Sequence, residues 1–464
     1  MVNGTLQLYQ KKQILFAACL LLGNILVGYS LGWALPVLGK LLDKDQTPLD
    51  DVITDYEASW VASAQLIGVL IGLIISGYLS NVIGRKPSAI VMALTSLFGF
   101  TMLAVASNVS WMYAGRAVNG CGSTGIQLLN AIYIGEFASP NLRGIFMSLT
   151  GVFHTLGVLL VYAAGPYVTL KVVSYIYIGI ALIHISACGY IVPESPVFYV
   201  TKGKEDDAKR IFRELGRSKD IDTELKAMME TYKEDYADRK WSQLFTIKSN
   251  RMALLITVTL FILNQAGGIM SVLFFSTMLF KNVASSIDPD VATILLGVTQ
   301  FAGSIVTPVF INRCGRRILL LVSSICCSLF LAMLGAYFYL ESIKHPSILC
   351  IRWMPLVALI SFLFFFCIGI NVIPMVLISE MFRPNVRSLG SAMTLICGCS
   401  VGLLSTSTFN FLAVTFGNYT PFWIFAAVNL FGFFFTLLVV PETKGKSLME
   451  IEIMMRSGKH EPSL

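Results

Sequence analysis

Long apolar runs alternate with short polar segments along almost the whole chain. Each run has about 20 residues or more, the length that an α-helix needs to cross a bilayer ~30 Å thick. The twelve runs cover residues 14–36, 59–80, 88–107, 110–133, 145–165, 173–192, 252–274, 291–311, 317–340, 353–377, 388–413 and 421–440. They form two groups of six around one polar interval. The pattern therefore predicts an all-α membrane protein with 12 transmembrane helices.

The polar interval, residues 194–251, also has helical periodicity. Ala208, Ile211, Phe212 and Leu215 recur on one face of a helix, which is the pattern of an amphipathic helix. A second such stretch lies at 221–232. The interval is either a solvated linker or a small cytoplasmic helical cap, and its periodicity favours the cap. The predicted divisions are a six-helix bundle at 1–193, the helical linker at 194–251, a second bundle at 252–441 and a tail at 442–464.

Composition and charge support a membrane location. The chain is 55% hydrophobic and 13% charged, with a mean hydropathy of +0.73, whereas soluble proteins have about 25% charged residues. Most lysines and arginines fall in the segments that lie on the same side of the membrane as the N-terminus. An excess of these residues marks the cytoplasmic face. Both termini are predicted to be cytoplasmic. The net charge of +7 is thus explained by topology; the bilayer is an expected partner and nucleic acid is not.

Charged motifs recur once in each half. Residues 136–144 read EFASPNLRG and residues 380–388 read EMFRPNVRS, so a glutamate and an arginine keep the same spacing. GRK follows the second run and GRR the eighth, while PESP follows the sixth and PETKG the twelfth. Repeats in the same order predict two six-helix bundles related by a pseudo-two-fold axis.

The cysteines and glycosylation sequons fit this topology. Of the ten cysteines, only Cys350 falls in a predicted outer loop, so free thiols are expected rather than a disulfide framework. Sequons at Asn108 and Asn418 lie in predicted outer loops, and both are candidate glycosylation sites. The sequon at Asn3 is predicted to be cytoplasmic and unused.

The chain has no sign of an enzyme. It contains no phosphate-binding loop, zinc-ligand spacing or nucleophile–base arrangement, and its four histidines are dispersed. No catalytic residue, metal or cofactor is therefore predicted. A carrier and a non-transporting sensor remain, and the short segments outside the first and last runs favour the carrier.

The repeated motifs, together with GRAVNGCG at 115–122, resemble those of the sugar porters of the major facilitator superfamily. The resemblance covers essentially the whole chain. GYSLGW at 28–33 is most similar to the facilitated trehalose and hexose transporters of invertebrates. The resemblance implies two bundles around a central cavity, in the plasma membrane, that move a sugar such as trehalose or a hexose down its gradient by alternating access.

The resemblance also gives the repeated charges a role as a cytoplasmic latch. In the outward-open form, the charges of one half would pair with or near those of the other and hold the inner mouth shut. Each accessible pair contributes only ~0.2–1 kcal/mol, which suits a reversible closure. The alternative is that these charges only anchor helix ends and enforce topology. The latch residues are Arg85, Glu136, Arg143 and Glu194, with Arg316, Glu380, Arg387 and Glu442.

By the same resemblance, the sugar site includes the seventh helix, NQAGGIMSVLFF at 264–275. Gln265 keeps an amide that can donate to and accept from a hydroxyl, but Met270 and Met375 stand where relatives carry asparagine and tryptophan. The predicted cavity is therefore less polar than that of a typical hexose carrier. The predicted substrate-binding residues are Gln265, Asn264, Gln300, Phe274, Phe275, Gln127, His154 and Phe366. For His154, and for Gln65 and Asn24 elsewhere, hydrogen bonding between helices is an open alternative.

The first helix contains the position that distinguishes proton-coupled from passive members of this family. Proton-coupled family members carry a carboxylate after a Gly-Tyr pair, whereas Ser30 follows Gly28 and Tyr29 here. The chain is therefore predicted to be a uniporter, with Arg116 as a structural or gating cation. A carrier of a less polar, non-sugar solute remains an alternative, as does the sugar sensor. The sequence does not identify any protein partner.

Overall fold

The computed structural model describes residues 2–138, 140–215, 242–273, 289–382, 384–444, 450–451 and 454–455. For some of these residues, including Arg143 and Arg387, only the backbone is described. Phe274, Phe275 and the predicted helix at 221–232 lie outside the described residues. The chain divides into two compact units, Met1–Ala237 and Asp238–Leu464.

Every element in the described parts of the first unit is an α-helix. The helices are α1 (Val2–Gly32), α2 (Ala34–Leu41), α3 (Asp55–Val82), α4 (Arg85–Ala104), α5 (Val109–Phe137), α6 (Pro140–Ala164), α7 (Leu170–Tyr190), α8 (Pro196–Thr201) and α9 (Glu205–Leu215). Helices α1 and α2 together form one apolar segment, Lys11–Leu41.

The described parts of the second unit are helical as well. They comprise α10 (Ser242–Thr246), α11 (Lys248–Ala266), α12 (Pro289–Cys314), α13 (Arg316–Ser342), a 3-10 turn (Pro346–Cys350), α14 (Met354–Ile368), α15 (Ile373–Met381), α16 (Pro384–Phe416) and α17 (Thr420–Val439). Several helices are longer than the predicted runs, because they continue past the apolar core into polar flanking sequence.

Within the described ranges, 11 helical segments are long and apolar enough to cross a membrane. The one predicted span that is not among these 11 is the fourth run, 110–133, which forms helix α5. It is less apolar because it carries Arg116 and several small residues. Its glycines let it pack closely: a methyl group on Gly120 would overlap the carbonyl of Gln65, and one on Gly122 would overlap the backbone of Ser96. Because α5 is covered by α3 and α4, its sequence need not be uniformly apolar.

Two spanning segments of the second unit are interrupted. Helix α11 ends at Ala266, and helical structure resumes at 269–273 after two glycines. Gly268 has φ = +90°, a conformation that favours glycine. Helix α14 ends at Ile368 and α15 begins at Ile373, with Pro374 in its first turn. Each interruption exposes backbone groups that would otherwise be bonded within a helix.

The predicted amphipathic helix is present as α9. Ala208, Ile211 and Phe212 are buried. Ile211 joins the apolar cluster around Phe16 of α1, and Phe212 packs beside Tyr199 of α8. This described part of the polar interval is therefore packed on the first unit rather than solvated on all sides.

Candidate functional site

Three charged side chains and one hydroxyl form a compact group, the N-half charge cluster. Its members are Arg85, Glu136, Glu194 and Ser195. The Nε of Arg85 lies 3.1 Å from both carboxylate oxygens of Glu136, and Nη2 lies 2.9 Å from Oε1. The Ser195 hydroxyl donates to the same carboxylate. Glu194 Oε1 accepts from the backbone N–H groups of Arg85 (2.9 Å), Lys86 (3.2 Å) and Ser195 (2.7 Å). The cluster thus links the ends of α4, α5 and α8.

The position of Glu194 depends on a glycine. Gly84 has φ = +106°, and a methyl group there would overlap the Glu194 carboxylate. The carboxylate lies against the first turn of α4, where unpaired N–H groups and the helix dipole favour negative charge. Burial nevertheless raises the pKa of Glu194, because desolvation outweighs the opposing effect of the backbone N–H groups and of Arg85.

The C-half charge cluster, Arg316, Glu380, Glu442 and Thr443, repeats this arrangement. Arg316 Nη2 lies 2.8 Å from Glu380 Oε1, and the Thr443 hydroxyl donates to Glu380 Oε2 at 2.6 Å. Glu442 accepts from the backbone N–H groups of Arg316 and Arg317, both at 3.0 Å. The duplicated sequence motifs therefore form duplicated structures.

The two clusters differ in how firmly the arginine is held. Arg316 Nε has no hydrogen-bond partner within the described residues, whereas Arg85 Nε contacts both oxygens of Glu136. The side chains of Arg85 and Glu136 are 7% and 15% exposed, against 17% and 23% for Arg316 and Glu380. The N-half pair is the more buried and the more fully bonded of the two.

The two ion pairs described among the latch residues lie within the halves. The latch prediction expected pairing between halves, but Arg85 bonds Glu136 and Arg316 bonds Glu380. The reason is local: the loop before α4 or α13 brings its arginine beside the end of a neighbouring helix of the same bundle. The side chains of Arg143 and Arg387 lie outside the description, so their part in a latch stays a prediction.

Arg116 is a fully buried cation in the first unit. Its Nη1 donates to the Ser30 carbonyl at 2.9 Å, and its Nε donates to the Val61 carbonyl at 3.3 Å. The guanidinium carbon lies 4.8 Å from the Trp33 ring centroid. Its Nη2 has no hydrogen-bond partner within the described residues, and no ion pair described in this part of the chain includes it. Carbonyl dipoles and a ring face thus surround this charge.

A chain of uncharged polar groups adjoins Arg116. Gln65 Nε2 donates to the Ser30 hydroxyl at 2.8 Å, Ser30 donates to Asn119, and Asn119 Nδ2 donates to the Ser96 hydroxyl at 2.8 Å. The Ser96 hydroxyl bonds that of Tyr177. This network favours the helix-to-helix interpretation of Gln65. The sequence analysis missed Asn119, although an asparagine three residues after a buried arginine was a usable signal.

The predicted N-half site residues differ in exposure. Gln127 is exposed on α5, and His154 is half-buried on α6. His154 Nδ1 and Asn24 Nδ2 have no hydrogen-bond partner among the described residues. Gly28 packs against the carbonyl of His154, so α1 and α6 are in close contact at this level. The Nδ1 of His154 and the Nδ2 of Asn24 are thus buried polar atoms without a described partner, while Gln127 is the exposed one of these polar side chains.

The predicted C-half residues differ in whether their polar groups already have a partner. Asn264 is buried, and its Nδ2 donates to the Ile370 carbonyl at 2.8 Å, so its amide supports the backbone. Gln265 is half-buried, with its amide beside Gly402 of α16. Gln300 is buried, and its Nε2 lacks a partner in the described residues. Phe366 is buried and packs on Phe362, with ring centroids 5.9 Å apart.

The helix interruptions involve two polar residues that the sequence analysis missed. Asn429 Nδ2 donates to the carbonyls of Gly267 (3.3 Å) and Phe425 (2.8 Å). The Ser323 hydroxyl accepts from Ile370 N at 3.2 Å and donates to the Phe365 carbonyl at 2.7 Å. Lone polar residues in apolar runs that neighbour glycine-containing breaks were the available signal.

The remaining candidate positions are at the surface or unpaired. Asn108 and Asn418 are exposed, and Asn108 caps α5 by accepting from Trp111 N at 3.2 Å. All ten cysteines are free thiols.

Two insect proteins have similar sequences. The chain is 30% identical over 450 residues to the facilitated trehalose transporter Tret1 of Culex quinquefasciatus, covering 96% of this chain and 86% of that protein. It is also 30% identical over 453 residues to the Tret1 protein of Anopheles gambiae, covering 97% of this chain and 56% of that longer relative. The chain therefore spans most of one relative and about half of the other.

A solved structure has the same fold. The proton:xylose symporter XylE of the major facilitator superfamily, bound to 6-bromo-6-deoxy-D-glucose, matches with a TM-score of 0.79 and 21% identity over 96% of this chain and 99% of that one. The predicted all-α, 12-helix major facilitator fold is thereby confirmed. The model of the sugar (and other) transporter family matches residues 14–455, and this multi-pass membrane chain belongs to that family of transporters.

Proposed function

We propose that the protein is a facilitative carrier that moves a neutral sugar, trehalose or a hexose, down its gradient by alternating access of its two halves. The observation that carries the proposal is the set of uncharged polar groups on spanning helices whose hydrogen-bonding capacity the described residues do not fill. His154 Nδ1 and Gln300 Nε2 lack partners among the described residues, and the Gln265 amide is half-buried. Amides and imidazoles both donate and accept hydrogen bonds, as a sugar hydroxyl requires.

The proposal of passive transport rests on the first helix. Ser30 occupies the position after Tyr29, and its carbonyl accepts from Arg116. A proton-coupled step needs a group that binds and releases a proton near that cation, and a serine hydroxyl does not do so at physiological pH. Steady-state sugar accumulation in vesicles is therefore expected not to change with an imposed pH gradient, and accumulation driven by the gradient would refute uniport.

The substrate proposal is tested by uptake into reconstituted vesicles, with trehalose, glucose, fructose and polyols as solutes. We expect Gln265→Ala to reduce uptake about tenfold, because a buried sugar hydroxyl left without its hydrogen-bond partner costs ~1–3 kcal/mol. Gln46→Ala is the matched control, since Gln46 is an exposed residue of the loop after α2. Equal uptake by Gln265→Ala and the wild type would remove Gln265 from the site.

A less polar solute is the second candidate. Met270 is half-buried on 269–273, and Met375 is 42% exposed on α15, so apolar side chains stand at two positions that the resemblance assigns to the sugar site. Competition separates the candidates. If an uncharged apolar solute blocks uptake more strongly than any sugar in the panel, the sugar proposal fails and this one replaces it.

We also propose that both charge clusters, with Arg143 and Arg387, lie at the cytoplasmic mouth and stabilise its closed form. The support is that each cluster ties three helix ends together. In a background without native cysteines, Arg143→Ala with Arg387→Ala is expected to increase labelling of cysteines introduced along the inner half of α15. An unchanged labelling pattern would favour simple anchoring of helix ends.

The plasma membrane, with both termini cytoplasmic, is the proposed location, and Asn108 and Asn418 would then be extracellular. For Asn108, Ser110→Ala is the informative change because it destroys the sequon and keeps the α5 cap. In a glycosylating host we expect it to lower the apparent mass without lowering stability. An unchanged mass would exclude glycosylation at Asn108.

A further inference from the structure

The two interrupted segments of the second unit meet through the side chain of one asparagine. Asn264 lies in the last turn of α11, just before the break at Gly267 and Gly268. Its Nδ2 donates to the carbonyl of Ile370, which lies in the break between α14 and α15, at 2.8 Å. In a membrane, backbone carbonyls released from a helix need donors. The Asn264 amide, at the edge of the first break, therefore supplies the donor that the Ile370 carbonyl needs in the second break.

Each break is also held to a continuous helix. Asn429 of α17 donates to Gly267 O at 3.3 Å, and Ser323 of α13 accepts from Ile370 N at 3.2 Å. The enclosed space beside the breaks has a volume of only about 10 Å³, room for one water at most. Its lining includes Ile370 and Asn429. The hydrogen bond from Asn264 therefore joins two breaks that are each bonded to a continuous helix.

Helix α15 connects the second break to the C-half charge cluster. It is nine residues long, Ile373–Met381, and it carries Glu380 near its end. Glu380 is bonded to Arg316 at 2.8 Å and to Thr443 at 2.6 Å. A continuous path thus runs from residues 269–273 through Asn264 and Ile370 to Glu380.

We propose that the Asn264–Ile370 hydrogen bond is a strut that couples the two breaks, so that movement of 269–273 is transmitted to α15 and to the C-half charge cluster. Asn264 is then a positioning residue that sets the rate of conformational exchange, and it does not bind the sugar. This inference rests on the proposed alternating-access carrier. It revises the assignment of Asn264 as a substrate-binding residue.

Kinetics of uptake separate the two roles. Asn264→Leu keeps the size of the side chain and removes the donor, so we expect the maximal uptake rate to fall about fivefold or more, with KM within twofold of the wild-type value. Gln265→Ala, by contrast, is expected to raise KM. A raised KM with an unchanged maximal rate in Asn264→Leu would return Asn264 to the sugar site and overturn the strut.

A second variant removes the risk that Asn264→Leu fails to fold. Ser323→Ala deletes the other side-chain bond to Ile370, and Ser328→Ala is its matched control, because Ser328 lies on the same helix and donates at 2.8 Å to the carbonyl of Ala426 in the continuous helix α17. We expect slow turnover from Ser323→Ala and near-normal turnover from Ser328→Ala. Equal effects of the two serine variants would refute the special role of the break.

The exchange rate can be measured without a sugar. Single-molecule fluorescence in nanodiscs, with one dye on each half, reports exchange between conformations in the absence of any solute. Asn264→Leu is expected to slow this exchange about fivefold or more, and its effect should be non-additive with Ser323→Ala because both act on Ile370. Wild-type exchange without uptake of any tested sugar would refute the substrate proposal alone, whereas unchanged exchange in Asn264→Leu would refute the strut alone.

Discussion

The unequal bonding of the two charge clusters makes a direct prediction about stability. Glu136→Gln removes the charge that faces Arg85 and leaves a cation whose side chain is 7% exposed. Glu380→Gln does the same to Arg316, whose side chain is 17% exposed and whose Nε already lacks a described partner. The carboxylate lost in the first case accepts from both Nε and Nη2 of the arginine, against Nη2 alone in the second.

The magnitudes follow from burial and bonding. Leaving one partner of a fully buried pair uncompensated costs ~3–5 kcal/mol, and an exposed pair contributes ~0.2–1 kcal/mol. The Glu136 pair lies nearer the buried limit, so we expect a loss of ~2–3 kcal/mol from Glu136→Gln. For Glu380→Gln we expect ~1–2 kcal/mol, since solvent reaches more of that pair and fewer bonds are lost.

The two variants are compared by thermal inactivation of purified protein. The fraction of protein that stays monodisperse after heating ranks their stabilities. Glu57→Gln is the control: Glu57 lies in the capping box at the start of α3, where glutamine also serves, and no shift is expected. The reasoning fails if Glu380→Gln is as damaging as Glu136→Gln, because exposure and bond number would then not determine the effect.

Two further substitutions test other parts of the structure. Arg116→Met removes the cost of burying a charge, but it also removes two hydrogen bonds from a charged donor and the contact with the Trp33 ring. Hydrogen bonds to charged groups are worth ~1.5–3 kcal/mol each, so we expect a net loss of ~1–2 kcal/mol, and a raised inactivation temperature would show that desolvation outweighs these contacts. Gly84→Ala is expected to cost ~1–3 kcal/mol because φ = +106° strains any other residue and the new methyl group displaces Glu194. Gly77→Ala is the control: it lies inside α3, a methyl group there meets nothing within 4 Å, and alanine is favoured over glycine in a helix, so the inactivation temperature should not fall in the same assay.

The sequence alone predicted the helices well because the bilayer imposes a length and an apolar composition on every span. Even α5 was found, although Arg116 and its glycines reduce its apolar character. The repeated motifs also contain the arginines and glutamates that form the two charge clusters. Sequence spacing, however, does not reveal which helix ends are neighbours, and the pairing of Arg85 with Glu136 inside one half is a property of the packed bundle.

The candidate site shows the same limit at the level of single residues. Asn264 and Gln265 are adjacent in the chain, and both looked like sugar ligands. Successive residues of a helix point about 100° apart, so Asn264 faces the break at Ile370 while Gln265 faces Gly402. Which of the two amides bonds a backbone carbonyl depends on where a neighbouring helix is interrupted. No local sequence pattern contains that information.

The N-half charge cluster has a consequence for how the protein is made. All of its members, Arg85, Glu136, Glu194 and Ser195, precede the second bundle in the chain. A ribosome adds residues from the N-terminus at a rate that lets early domains fold first. The first bundle can therefore complete its ion pair and its helix caps while the second bundle has still to be synthesised. Because each half contains both partners of its ion pair, folding of the first half does not have to wait for synthesis of the second.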